Sequence, residues 1–259
     1  MALMHCQIDS KILDLEMSVQ VILPDHIEKC QKRLPALYLL HGLSGNYSSW
    51  TRKTSIERYA SKYQLAVVMP EVHRSFYTDM ANGYRYWTFL SEELPKMMEY
   101  YFPLSTKRED RFVAGLSMGG YGAMKWALSY PEQFSHAASL SGALDLFYEY
   151  KKNMNTPEME ELLPELENIF GNLDAFKGSS NDLFTLMTQA KTRNLLPELF
   201  VLCGTEDFLY QDHLNFIHEL EEQRIQAEIF EEAGEHTWDF WDRNIQKVLA
   251  WLPIEEWEE

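Results

Sequence analysis

Two kinds of apolar pattern run along this chain. Near its start, two segments alternate apolar with polar positions: roughly Leu3 to Leu13, and Leu15-Glu16-Met17-Ser18-Val19-Gln20-Val21-Ile22-Leu23. Successive side chains of a strand point to opposite faces, so alternation predicts half-buried antiparallel strands, paired as a hairpin at a sheet edge. Later runs are short and almost wholly apolar: Ala36 to Leu40, Leu65 to Met69, Phe112 to Gly115 and Phe200 to Cys203, bounded by Gly, Pro or His. Strands covered on both faces read this way, as in a parallel sheet between helices. Gln226 to Phe230 alternates again and predicts a last strand. Helix-like stretches lie among these runs: Ser55 to Tyr63, Phe89 to Phe102, Gly120 to Tyr130 and Leu214 to Gln223. Strands alternating with helices predict a mostly parallel, doubly wound α/β sheet with an antiparallel N-terminal edge.

One segment breaks the rhythm. From about Leu144 to Leu196 no strand pattern appears, but Glu158 to Phe170 and Asp182 to Lys191 are charged and helical. About 50 residues is too long for an ordinary connection, so this insertion (144–196) is expected to fold as a small helical cap. A surface insertion with no part in substrate binding is the alternative.

Composition narrows the setting. At 259 residues and 46% hydrophobic, the chain suits a single domain. Its formal net charge of -17 argues against nucleic acid and anionic membranes as partners, and weakly against polyanionic substrates. The start lacks a basic stretch followed by a signal-length apolar run, and no apolar window is long enough to span a bilayer, so a cytoplasmic protein is expected. Cys6, Cys30 and Cys203 form no close pair and are read as reduced thiols. No metal-ligand spacing is present, and no cofactor is expected.

Candidate chemistry begins at Gly115-Leu116-Ser117-Met118-Gly119, a G-x-S-x-G sequence between a predicted strand and a predicted helix. In the α/β-hydrolase fold this sharp turn exposes the serine oxygen, and the flanking glycines let strand and helix approach closely. The order of a triad in that fold is serine, acid, histidine. Beyond the run ending at Cys203 comes Gly204-Thr205-Glu206-Asp207, which makes Asp207 the acid and Glu206 its nearest rival. His236, in the loop after the last strand, is the candidate general base; His213 and His218 fall in or beside the preceding helix and read as surface residues. A histidine must be neutral to accept the serine proton, so the rate is expected to fall as pH drops through about 6–7. The tetrahedral oxyanion needs two donors. One is the amide of Met118, after the nucleophile; the other is expected from His41-Gly42-Leu43-Ser44-Gly45, most simply the amide of Leu43. His41 reads as a residue that shapes this loop. Tyr77, Tyr84, Tyr86 and Trp87 cluster after the Leu65–Met69 strand; Tyr77, Tyr84 and Trp87 are candidates for the substrate pocket wall, with core packing an equally simple role for Trp87.

These motifs carry a resemblance. HGLSGNYSSW (41–50), VVMPEVHRSFYTD (67–79), GLSMGGYGAMKWAL (115–128), SLSGALD (139–145), GTEDF (204–208) and GEHTWDFW (234–241) resemble the esterase D-like branch of the α/β hydrolases, and within it the bacterial tributyrin esterases. The resemblance spans most of the chain. It implies a serine carboxylesterase acting on short-chain acyl esters, acetyl to butyryl, with Ser117, Asp207 and His236 as triad and Leu43 and Met118 as oxyanion donors. Relatives of that branch include S-formylglutathione hydrolases, acetylxylan and feruloyl esterases and mycolyltransferases. Leu116 and Tyr121 stand where S-formylglutathione hydrolases usually carry histidines, which weakens that alternative. Sugar O-acetyl or feruloyl ester hydrolysis, acyl transfer, and a non-catalytic binding role on the same scaffold are the other readings. The expected partner is a small-molecule ester; assembly into a homo-oligomer is compatible with the sequence.

Overall fold

The N-terminal hairpin forms as the alternation predicts, from β1 (Ala2–Ser10) and β2 (Leu15–Leu23), paired antiparallel with Ala2 opposite Leu23. The apolar runs become β3 (Ala36–Leu40), β4 (Ala66–Pro70), β5 (Arg111–Leu116) and, after one unforeseen strand β6 (His136–Leu140), β7 (Glu198–Gly204). The last strand is β8 (Glu228–Glu232). In this computed structural model, which describes residues 1–25 and 33–256, they join in one eight-stranded sheet ordered β1-β2-β4-β3-β5-β6-β7-β8. β1 and β2 are antiparallel to their neighbours and the other pairings are parallel. With helices around it, this is the α/β-hydrolase fold. Cys30 lies outside the described residues; Cys6 and Cys203 are free thiols.

Burial explains why two patterns were needed. Every residue of β3 and β4 is buried, whereas β1 and β8 at the sheet edges are largely exposed. The period of two divides the central strands between two cores. Tyr38, Val68 and Val113 face one, with Trp126 and Phe134; Leu37, Leu39 and Val67 face the other, with Trp50 and Phe240. Truncating one of these, such as Leu39→Ala, would cost about 2–5 kcal/mol.

The helices are α1 (Ser49–Lys53), α2 (Ile56–Ala60), α3 (Tyr86–Thr88), α4 (Leu94–Tyr101), α5 (Met118–Ser129), α6 (Leu146–Asn153), α7 (Pro157–Phe170), α8 (Leu183–Thr192), α9 (Tyr210–Glu222) and α10 (Trp238–Trp251). The helix expected over 89–102 is interrupted: a π-helical stretch (Phe89–Glu93) joins α3 to α4. Pro95, near the start of α4, has no N–H to give to the preceding turn. Residues 144–196 contain α6, α7, α8 and the short turn Leu173–Ala175, and among the described residues there they contain no strand. Thr156 caps α7, accepting from Met159 N at 3.3 Å, and Asp182 caps α8, accepting from Phe184 N at 3.2 Å. No helix among the described residues is long and apolar enough to cross a membrane.

Candidate active site

Four loops leave the sheet at the C-terminal ends of parallel strands, and so on one edge: the loop after β3, the turn after β5, and the loops after β7 and β8. Open α/β sheets place their ligands along this edge. Ser117 follows β5 directly and occupies φ 54, ψ -120, a conformation that a non-glycine side chain disfavours. Its neighbours impose it. A Cβ on Gly115 would collide with the backbone of Gly119, and one on Gly119 would lie 2.5 Å from Leu40 O, so strand and helix meet with no room for side chains. Ser117 N donates to Leu140 O at 3.0 Å, fixing the turn to β6.

Asp207 sits on a turn closed by its own N–H, which donates to Gly204 O at 3.1 Å. Its side chain is fully buried and Oδ1 accepts from Leu209 N at 2.9 Å. Both of its oxygens lie against His236 Nδ1, at 3.0 and 2.9 Å. His236 Nε2 lies 3.0 Å from Ser117 Oγ. A carboxylate only accepts, so Nδ1 carries the proton and Nε2 is left to accept from the serine hydroxyl. The three residues expected to act together are therefore brought into one continuous relay. Glu206 does something else: it accepts from Gly234 N and from Thr205 Oγ1, tying the β7 loop to the histidine loop. The imidazole is also held by rings. Trp241 meets it edge-on at 4.8 Å and Phe208 leans over it at 4.5 Å.

The loop after β3 closes on itself, with Gly45 N donating to Gly42 O at 2.9 Å and leaving Leu43 and Ser44 at its tip. A Cβ on Gly42 would stand 3.4 Å from Ser117 Cβ, so this backbone lies against the serine. Leu43 lines both cavities beside Ser117, and Met118 lines one of them. Met118 is the first residue of α5, where N–H groups have no helical acceptor. His41 is buried and anchors the loop from below. Its Nε2 lies 3.3 Å from both Glu71 Oε1 and Val72 N, while its carbonyl accepts from Tyr77 Oη at 2.8 Å. Burial acts to raise the Glu71 carboxyl, but hydrogen bonds from His41, His73 N and Tyr47 N outweigh it and hold the group below its ordinary range.

Ser117, Leu43 and Phe208 stand where two cavities meet. One, of about 390 Å³, contains His236, Trp238, Trp241, Ser49 and Lys53. The other, of about 500 Å³, is mostly apolar and is walled by Phe76, Leu146, Met159, Leu162 and Leu166, with Glu149 and Asn153 breaking the apolar surface. Helices α6 and α7 supply about half of that wall.

The aromatic cluster is placed differently from expectation. Tyr77 is fully buried with its ring against Gly122 and its hydroxyl on His41 O. Tyr84 is 49% exposed, and Trp87 borders a separate cavity with Lys125, whose ammonium lies 4.6 Å from its ring. None of the three lines a cavity at Ser117. For Tyr77 the cause is local: Phe76 and Tyr77 both have positive φ, 48 and 52, and at this double reversal Phe76 faces the cavity and Tyr77 the core. His213 is likewise not a surface residue; it lies on the inner side of α9, buried, 3.2 Å from Glu231.

Over residues 10–252 the sequence matches the Putative esterase family. The chain belongs to that family. The acetyl esterase of Caldicellulosiruptor saccharolyticus is 32% identical over 263 residues, covering 97% of this chain and 98% of that one. Among solved structures, FphF, a fluorophosphonate-binding serine hydrolase of Staphylococcus aureus, superposes with a TM-score of 0.88 at 35% identity, covering 97% and 98% of the two chains. An S-formylglutathione hydrolase (FrmB) of the same organism gives a TM-score of 0.84 at 35% identity over the same shares. Membership of the esterase family, with serine hydrolases this similar, makes carboxylic ester hydrolysis the reaction class.

Proposed function

We propose that the chain is a serine carboxylesterase in which Ser117 is the nucleophile, His236 the general base and acid, and Asp207 the group that orients the imidazole. The observation that carries this reading is the unbroken relay from Asp207 through His236 to Ser117. The Ser117 oxygen adds to the ester carbonyl carbon while its proton passes to His236 Nε2. The amides of Leu43 and Met118 receive the negative charge that forms on the carbonyl oxygen. Collapse breaks the bond to the alcohol, which departs with the proton held by His236 and leaves an acyl-serine. Water then adds, His236 takes its proton and returns it to Ser117 Oγ, and the acid is released.

The relay also orients the substrate. His236 must reach the departing oxygen, so the alcohol occupies the cavity that contains His236 and the acyl group the apolar one walled by α6 and α7. In this reading residues 144–196 act as a cap through those two helices. We further propose a preference for acetyl to butyryl groups. The likeness to an acetyl esterase supports it. So does the Glu149 carboxylate in the acyl wall, since a long chain sliding over it would strip its water.

Labelling tests the first claim: a fluorophosphonate should add to Ser117, read by peptide mass spectrometry, and an adduct on any other serine would overturn it. Rates on p-nitrophenyl esters from acetate to octanoate test the second, which fails if octanoate is preferred. The likeness to FrmB favours thioester hydrolysis as a second reading. Tyr121, at one of the positions where such enzymes usually carry histidine, is buried with its hydroxyl on Asn181 O at 2.8 Å. Comparing S-formylglutathione with p-nitrophenyl acetate separates the two.

A further inference from the structure

The chain carries 40 Asp and Glu against 23 Lys and Arg, yet the cavity that contains His236 is lined, among the described residues, by no carboxylate outside the relay and by one lysine, Lys53. Lys53 makes no ion pair among the described residues, although exposed lysines of an acidic protein have many carboxylates to choose from. Its ammonium stands 5.4 Å from the centre of the Trp238 ring. Trp238 is itself fixed edge-on between Trp50 at 5.5 Å and Trp241 at 5.2 Å, and Trp241 is the ring that meets His236. A positive charge is thus held on an aromatic shelf at the rim of the site, attracted by the ring face and left without a counter-ion. The opposite cavity holds the Glu149 carboxylate, itself paired with Lys152 at 3.3 Å.

We propose that Lys53 determines leaving-group specificity: the enzyme favours esters whose alcohol carries an anionic group, a carboxylate or a phosphate, over neutral esters with the same acyl group. The inference rests on the serine esterase reading and on the alcohol lying on the His236 side. An anion on the alcohol would supply the counter-ion that the chain itself does not, through charge-assisted hydrogen bonds to the ammonium. The opposite cavity is lined, among the described residues, by no lysine or arginine, so Lys53 biases which end of the ester enters which cavity. The whole-molecule charge of -17 slows the approach of every anion, but it acts almost equally on variants at residue 53. The ratio between substrates, compared across variants, therefore isolates the lysine.

Three acetyl esters make the test: methyl 4-acetoxybenzoate, which is neutral, 4-acetoxybenzoate, and 4-acetoxyphenyl phosphate. kcat/KM for each is measured on the wild type, Lys53→Met, Lys53→Arg and Lys53→Glu. The anionic-to-neutral ratio should fall about three- to tenfold in Lys53→Met, as expected for a partly exposed charge pair. It should fall further in Lys53→Glu and recover in Lys53→Arg. The carboxylate and phosphate arms report which anion fits better. A ratio unchanged in Lys53→Met, or an equal loss on all three esters, would overturn the proposal; the latter would mean that Lys53 only props the Trp238 shelf. Failure of the serine esterase reading looks different, because the wild type would then leave the neutral ester uncleaved.

Discussion

The strand ends that carry Ser117, Asp207 and His236 are built differently from the helices that wall the neighbouring cavity. Around Ser117 the close contacts are backbone against backbone: Gly115 on Gly119, Gly119 on Leu40, Ser117 N on Leu140 O. No side chain can be added at Gly115 or Gly119 without moving the main chain. Helix α6 has no buried residue at all. Helix α7 is tied to the loop after β4 by the Arg74–Glu165 pair and by Ala81 N donating to Ile169 O at 2.9 Å. The first region has one geometry that works; the second needs only to cover an apolar space. In the proposed reading, reaction and selectivity are thereby housed in parts of the molecule with very different tolerance to change.

Substitutions can break this contrast or sharpen it. The largest effect is expected at the strand ends: Ser117→Ala should lower kcat by about 10⁵-fold or more with unchanged circular dichroism. Asp207→Asn keeps the shape but allows the wrong imidazole tautomer, and kcat should drop by about 10⁴-fold; a loss smaller than tenfold would remove Asp207 from the relay. In the helical wall, Leu162→Trp should cut kcat/KM for butyrate relative to acetate by about tenfold, the scale on which pockets discriminate single methylenes. An equal loss on both esters would mean that the wall shapes the reaction centre as well.

The smallest effect concerns how the helical wall is fastened. Asp212 on α9 is fully buried, its Oδ1 finds no donor, and Oδ2 accepts from Asp145 N at 3.4 Å. Burial first, and then Glu149 of α6, raise its carboxyl above the ordinary range. A raised carboxylate pKa means that the folded state holds a proton which the unfolded chain releases. Stability is thus lost as pH rises from the ordinary carboxylate range toward the raised value. Asp212→Asn keeps the shape without the charge and should stabilise the fold by about 1–2 kcal/mol at neutral pH, with Tm rising roughly 2–4 °C per kcal/mol. The gain should shrink toward pH 4; a pH-independent gain would mean that titration is not its cause.

Legibility followed the same divide. The elbow, the acid turn, the histidine loop and the loop after β3 could be read in the sequence because each sits where a strand ends and glycine is required by close approach. Strand β6 escaped because its Ser139 must be small: a Cβ on Gly120 would come within 2.5 Å of Ser139 Oγ, and a strand written Ala137-Ala138-Ser139 lacks the bulky residues that announce one. Tyr77 lies in the core rather than on the cavity because two successive residues of positive φ, Phe76 and Tyr77, reverse the chain there, and nothing in their composition marks the reversal. Glu149 and Lys53, on ordinary helices, carry no motif, so only the folded chain brings them to the cavities beside Ser117.

The backbone of Ser117 has a consequence on a longer timescale than turnover. At φ 54 and ψ -120, glycine would be the easier residue to fold, and Ser117→Gly should make the protein more stable by about 1 kcal/mol while abolishing activity. Folding alone would favour that change. A lineage that had ceased to use this turn would be expected to drift toward glycine there.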